Sequence, residues 1–387
     1  MASLLVVVCV LTFLHYTAAQ MRGPVLSLYA ADHGATAAGV GYILGAHMLA
    51  AAVGSMPLGR VSDVWGRRPL MLGGMTVGVA TLLALPLVES EIALILIYGL
   101  AGLGVAAFTP SALSVVGDMA PPGRAGHAFA WYSTAHYAAI GIGPFLGGVV
   151  AEWWGYRAAF VASAAGIALA VMVGRAVLMP GAAITRPPGG ATFADVKGNP
   201  AVWAGWILSV SGLLIQGVVF PFFPLLAQER GLGPAAIGLV FLVLGLANTL
   251  ARLPAGWLID RTGRAALYAL GGVLAASVAT ALLPHAEGHA TVLALAAAFG
   301  ATSGIAFVGV SVGLSAAATP ATRGLVMGGY STALYLGFGL GSIALGPVIA
   351  RYGYAVGFAA GGGAGLLGTL FAGVLRVAPP PPVKRPS

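Results

Sequence analysis

The sequence predicts an all-α membrane protein with twelve transmembrane helices in two pseudo-symmetric bundles of six. Three observations predict it. Charged residues make up 7% of the 387, with 18 Lys and Arg against 10 Asp and Glu, where a soluble domain carries about a quarter. Apolar residues reach 59%, and 59 glycines come in addition. Apolar runs of membrane-crossing length recur along the whole chain, and its two halves read alike. So few charges cannot cover a soluble globule, and disorder needs low hydrophobicity with high charge. A soluble enzyme and a disordered chain are therefore both excluded. Cys9 stands alone, which excludes a disulfide framework or a thiolate metal cluster.

A helix needs about 20 apolar residues to cross about 30 Å of hydrocarbon. Runs of that length between charges or turn clusters fall at 3–29, 38–58, 70–88, 91–115, 127–150 and 156–178. Six more fall at 201–227, 235–256, 265–284, 290–316, 324–350 and 353–376. Their apolar residues go all the way round with no period of two, which marks helices and not barrel strands. The first run has a competing reading as a signal peptide, because it passes through Thr17-Ala18-Ala19-Gln20. No positive residue precedes it. It also continues through Pro24 to Tyr29, and the repeat needs it. A retained helix is the expectation.

An even number of spans puts both termini on one side. Loops on that side hold Arg60, Arg67, Arg68, Arg124, Arg175, Arg186, Lys197, Arg252, Arg261, Arg264, Arg323, Arg376, Lys384 and Arg385, 14 of the 18 basic residues. The other side holds Asp32, Glu89, Glu91, Glu152, Glu229 and Glu287 with only Arg157, Arg230 and Arg351. Lys and Arg collect in cytoplasmic loops. The expected placement is thus a multi-pass protein of the plasma (inner) membrane with both termini cytoplasmic. The net charge of +8 reads as topology and not as a nucleic-acid partner.

The halves repeat at an offset of about 196 to 199 residues. Gly59-Arg60-Val61-Ser62-Asp63-Val64-Trp65-Gly66-Arg67 is echoed by Gly256-Trp257-Leu258-Ile259-Asp260-Arg261-Thr262-Gly263-Arg264. Gln20 aligns with Gln216, Asp32 with Glu229, Tyr132-Ser133-Thr134-Ala135 with Tyr330-Ser331-Thr332-Ala333, and Gly155-Tyr156 with Gly353-Tyr354. The expected division is a bundle over 1–178, a cytoplasmic linker over 179–200, a second bundle over 201–376 and a tail over 377–387. Two parallel repeats facing each other suit alternating access, with a site between them near the midplane.

With these residues in view, the chain resembles the major facilitator superfamily, in particular its twelve-helix drug/proton antiporter-like branch. The loop after the second span carries the family's signature at Gly59, Asp63, Gly66, Arg67 and Arg68. The resemblance implies a conformational latch there, with Asp63 at a helix N-terminus and Asp118 as partner acid for Arg67. The acid-to-dipole attraction is the physical basis. Gly141-Ile142-Gly143-Pro144-Phe145-Leu146-Gly147-Gly148 resembles the antiporter motif, with Ala139 in place of its first glycine. Its Gly143, Pro144, Gly147 and Gly148 read as a helix-packing motif, since small residues at i and i+4 let helices approach. The resemblance associates this motif with export. A plain helix contact explains it equally well. Tyr98 departs from the family, which places there an arginine linked to proton coupling.

Inside the spans, Arg22 is the clear charge, at a cost of about 2.5–3.5 kcal/mol at a helix centre. It shares a helical face with His15 and Tyr29. It reads either as a cationic cavity face or as a snorkelling side chain with Asp32 as partner. His15, His47 and His136 are the only groups inside that titrate near neutral pH, and all ten carboxylates lie at span ends or in loops. Substrate-cavity or coupling candidates are therefore His15, Gln20, Arg22, His47, Tyr98, His136 and Gln216. Asn248 and Arg252 read as an interface contact. Gly337-Phe338-Gly339-Leu340-Gly341 lies in a span with no preceding strand, so it reads as helix packing and not as a nucleotide loop. His285 and His289 flank Glu287, but Gly288 argues against the helix that zinc binding would need. No metal, cofactor or catalytic residue is expected.

These readings favour a secondary transporter that exports a small organic molecule, with protons as the coupling partner that the resemblance implies. Import or facilitated passage of a small metabolite is the alternative, and a membrane-embedded enzyme a remote one. The expected partners are a small-molecule substrate and the lipid bilayer. The fold needs no second copy to form its cavity, so a functional monomer is expected.

Overall fold

The structure, a computed structural model, describes residues 2–119, 125–177, 192–319 and 321–377. Most of the linker and tail expected at 179–200 and 377–387 therefore lies outside the described residues. Among the described residues, ten long helices carry the chain. They are α1 (Ala2–Asp32), α2 (Ala37–Trp65), α3 (Arg67–Ala84), α4 (Glu91–Met119), α5 (Ala125–Val177), α6 (Pro200–Glu229), α7 (Pro234–Thr262), α8 (Ala265–Leu282), α9 (Gly288–Ala317) and α10 (Arg323–Val377). Each is long and apolar enough to cross a membrane. α5 and α10 run 53 and 55 residues, far more than one crossing needs. Each is broken once, at Gly155 (φ 82°, ψ 167°) and Gly353 (φ 83°, ψ 169°). A side chain at such a φ would be strained, so glycine is what permits a one-residue turn between spans. Ten helices thus make the twelve expected spans.

The repeat is visible in the backbone. Positive-φ glycines pair across the halves as Gly34 with Gly231, Gly66 with Gly263 and Gly155 with Gly353. The short 3-10 turns Leu85–Leu87 and Leu283–His285 pair in the same way. Within the first half α5 lies on α1, and within the second α10 lies on α6. Glycines set both contacts. Gly143 faces Gln20 and Thr17 of α1, and Gly147 faces the Met21 backbone. In the second half Gly337 and Gly341 face the Val210 and Leu214 backbones of α6. The glycine run at 337–341 is therefore helix packing, as its place in a span implied.

Two faces can be told apart by their contacts. On the face that carries the chain ends, Arg68 Nη2 donates to the Arg175 carbonyl (2.8 Å) and Asn199 Nδ2 to the Ala317 carbonyl (3.1 Å). Asp195 accepts from the Thr192 N–H and hydroxyl, which holds its carboxyl below the usual range. On the opposite face Glu89 pairs with Arg157 and His33, and Arg230 donates to the Ala286 carbonyl (2.9 Å). Exposed tryptophans mark both levels, Trp65 and Trp257 at one and Trp153 and Trp154 at the other. Rings of this kind collect at membrane interfaces. Between them, exposed Leu87, Ile92, Leu96, Leu250 and Leu253 face outward, as a lipid-facing surface requires.

Candidate functional site

The halves meet along two seams, α2 against α10 and α5 against α7. Small residues make both seams tight. Gly41 and Gly45 of α2 face Ser342, Gly346, Ile343 and Gly339 of α10, while Gly141 and Gly148 of α5 face Gly245, Gly238 and Pro234 of α7. By helical rise, these approaches lie between mid-span and the face opposite the chain ends. Polar contacts finish the closure there. Gln228 Nε2 donates to Asp32 Oδ1 (3.2 Å), and the Ala235 N–H donates to Glu152 Oε2 (3.2 Å). Glu152 thereby places a carboxylate of one half at the N-terminus of a helix in the other, where the helix dipole favours it.

Deeper in the first half, Arg22 is 6% exposed and its Nε donates to the Tyr98 hydroxyl (3.2 Å). Tyr98 also stacks on His47, with ring centroids 4.3 Å apart at 18°. His47 Nδ1 pairs with the Tyr98 carbonyl at 3.0 Å. Three helices, α1, α2 and α4, thus converge on one tyrosine. The proposed pairing of Arg22 with Asp32 is not found, since Asp32 lies at the seam with Gln228. A side chain only 6% exposed inside a helix bundle is also not a snorkelling one.

A second cluster crosses the middle. Tyr16 lies edge-on to His136 at 4.0 Å and bonds Thr109 Oγ1 at 2.7 Å, and His15 packs on Phe108 at 4.1 Å. His136 touches Tyr137 at 5.1 Å. From the other half, Arg252 reaches across with its Cζ 3.4 Å from the Tyr137 ring centroid and 5.3 Å from that of Phe307. Its Nε donates to Asn248 Oδ1 (2.9 Å). This corrects the placement of Arg252 among the loop charges. Arg252 already falls within the expected span 235–256, and α7 continues to Thr262, so it sits inside the span and Arg22 is not the one interior charge. The interface contact expected of Asn248 and Arg252 is present. Beside this cluster opens a small, half-open hollow, lined by Ser209, Gln216, Ser303, Phe307, Tyr330 and Leu334 among others.

The superfamily model for the Major Facilitator Superfamily matches residues 8–220 and 205–387. The chain belongs to the Major Facilitator Superfamily. An uncharacterized MFS-type transporter of Methanocaldococcus jannaschii is 24% identical over 350 residues, covering 88% of this chain and 89% of that one. A chloramphenicol resistance protein of Pseudomonas aeruginosa is 25% identical over 329 residues, 81% of this chain and 75% of its own. A crystal structure of a variant of the nucleoside transporter NupG superposes with a TM-score of 0.78 at 16% identity, covering 96% of this chain and 99% of that one. The chain is a multi-pass membrane transporter of a small-molecule substrate.

The α2–α3 loop turns sharply between two long helices. Gly66 turns at φ 97° with its N–H on the Ser62 carbonyl, and Gly59 faces Pro110 of α4. Arg68 ties this loop to the end of α5, and Arg67 opens α3. The side chains of Asp63 and Asp118, on which the expected latch would turn, lie outside the described residues. The packing-motif glycines divide their work. Gly143 and Gly147 hold α1 within the half, and Gly148 faces the other half. Pro144 lies inside α5, with its carbonyl against Gly238. Of the cavity candidates, Arg22, His47 and Tyr98 come together, His15 and His136 join the Tyr16 cluster, Gln216 lines the hollow, and Gln20 packs beneath Gly143. The sequence reading missed Tyr16, Tyr137, Thr109 and Phe307. The Asn248–Arg252 spacing of four inside an apolar span was the signal that pointed towards them.

Proposed function

We propose that the chain exports small organic molecules by alternating access across the plasma (inner) membrane, linked to protons, with both termini in the cytoplasm. Residues 1–178 and 201–376 are the two moving bodies, and 179–200 joins them. The described arrangement is then the inward-facing one. The observation that carries this reading is the one-sided closure. Glycine seams and two hydrogen bonds across the halves join them away from the chain ends, while a mainly apolar hollow with a few polar groups lies among the interior helices. Such contacts are weak enough to break and re-form, which rocking requires. Export is supported by the glycine motif of α5 and by the similarity to a chloramphenicol resistance protein. Proton linkage is supported by the acids Asp32 and Glu152 at the closure, and by His15, His47 and His136 within, because no carboxylate occupies the interior by position. Arg67, Arg68, Asp63 and Asp118 serve as the latch that closes the cytoplasmic side in the other state.

The test is accumulation of a panel of antibiotics, chloramphenicol among them, in everted vesicles from a host stripped of its own pumps. Export predicts uptake of at least one compound into the vesicle lumen, and collapse of that uptake when a protonophore dissipates the gradient. Uptake unaffected by the protonophore would refute proton linkage. Accumulation seen in intact cells and absent from everted vesicles would refute export and establish import.

A further inference from the structure

Among the described residues Arg252 has no counter-ion. By position all ten carboxylates lie at helix ends or in loops, and its described partners are Asn248 and two aromatic rings. Charged side chains within membrane spans are expensive and ordinarily paired. A guanidinium offers its donors along several edges of one plane. Here Asn248 fixes the Nε edge, and Nη2 is shielded and without a hydrogen-bond partner. The plane itself is held by Tyr137 at 3.4 Å. This is an oriented cation with donor capacity unspent, four residues from the middle of α7. It stands beside the hollow, with which it shares Phe307. The residue as a whole keeps partial exposure.

Resting on the exporter reading above, we propose that Arg252 is the anchor for the anionic group of an aromatic organic acid, whose ring system occupies the hollow beside Phe307 and Tyr330. The apolar lining from Leu208, Val273 and Val310 suits a ring system, and Gln216, Ser209 and Ser303 add polar groups for substituents. The tyrosine that stacks on Arg252 belongs to the opposite half. Rocking therefore parts the stack and frees the guanidinium face, which couples substrate charge to the conformational change. A lipophilic cation meets the reverse, repulsion from Arg252 with no interior carboxylate to offset it.

The test titrates the purified protein in nanodiscs with benzoate, 1-naphthoate and indole-3-acetate, each against its own uncharged amide. The wild type binds at least one acid about tenfold more tightly than its amide, the size of one charge-assisted contact. Arg252→Gln erases that difference and leaves amide binding in place. Arg252→Lys, which keeps charge and loses the planar fork, retains part of it, and Arg22→Gln retains it in full. Equal binding of acid and amide in the wild type, or a preference that survives Arg252→Gln, overturns the proposal. Drug export without any acid preference overturns this site alone. An acid preference lost in Arg252→Gln, in a protein that exports nothing, supports the site and overturns the exporter reading.

Discussion

An alanine at Gly245 is predicted to open the sealed face. A Cβ there lands on the Gly141 Cα and 2.8 Å from the Gly141 nitrogen, in the opposite half. Ordinary contact begins near 3.4 Å, so α5 and α7 must part by roughly half an ångström or more. The obstacle is backbone and cannot rotate away. Overpacking of this kind costs about 1–3 kcal/mol, and it is paid only while the seam is closed. The helix-propensity gain of alanine over glycine, about 1 kcal/mol, acts on both states and cancels. The balance between closed and open seams should therefore shift about 5- to 150-fold towards open. Gly147→Ala is the contrast. It meets the Met21 backbone inside one half, a contact that rocking does not break, so its cost falls on folding stability alone. Gly256→Ala meets nothing within 4 Å and is the neutral control. Spin labels at Ser90→Cys and Glu287→Cys, on exposed loops of the two halves, report the separation in a Cys9→Ala background. The longer distance population should grow in Gly245→Ala only. An unchanged distribution in Gly245→Ala, or an equal change in Gly147→Ala, would refute the assignment of these glycines to a moving seam and a fixed one.

Asp32→Cys with Gln228→Cys should form a disulfide that stops transport and releases it on reduction, since the native side chains meet at 3.2 Å across the halves; full activity in the oxidised protein would separate this contact from the cycle. Tyr98→Phe should lower thermal stability by about 1–3 kcal/mol by stranding Arg22 Nε, while the stack on His47 persists. Adding Arg22→Met should recover most of that loss, because both polar partners then leave together; additive losses would mean that the hydrogen bond is not the cause. Gly66→Ala and Gly263→Ala, at φ 97° and 65°, should each destabilise by about 1–2 kcal/mol through left-handed strain. Parallel unfolding curves for the pair would reflect the repeat, and a neutral Gly66→Ala would refute the tight-turn role.

Spans and repeat were legible because hydrocarbon imposes a length and a composition that no other setting does. The turns at Gly155 and Gly353 were legible as boundaries, though not as single residues inside continuous helices. Interior partners were less so. Periodicity fixes which face of α1 Arg22 occupies, but not which helix lies against it, and the nearest acid in sequence, Asp32, was the natural candidate. The true partner, Tyr98, stands 76 residues away, at the position where the superfamily's antiporter branch was expected to carry an arginine. The structure therefore returns a cation to that locality from a different helix. Arg252 misled for another reason: it was counted with the loop charges because it lies near a span end, although it falls within the span itself, inside α7.

Both arginines also break the repeat. By the alignment of Gln20 with Gln216, Arg22 corresponds to Val218; by that of Gly59 with Gly256, Arg252 corresponds to Ser55. The scaffold is duplicated down to its turn glycines and 3-10 turns, and its interior charges are not. A symmetric pair of bundles can exchange conformations at nearly equal cost, because each seam has a counterpart. Recognition needs the opposite, a site whose two walls differ. Tyr137 from one half and Arg252 from the other supply such a site, and its chemistry changes whenever the halves move.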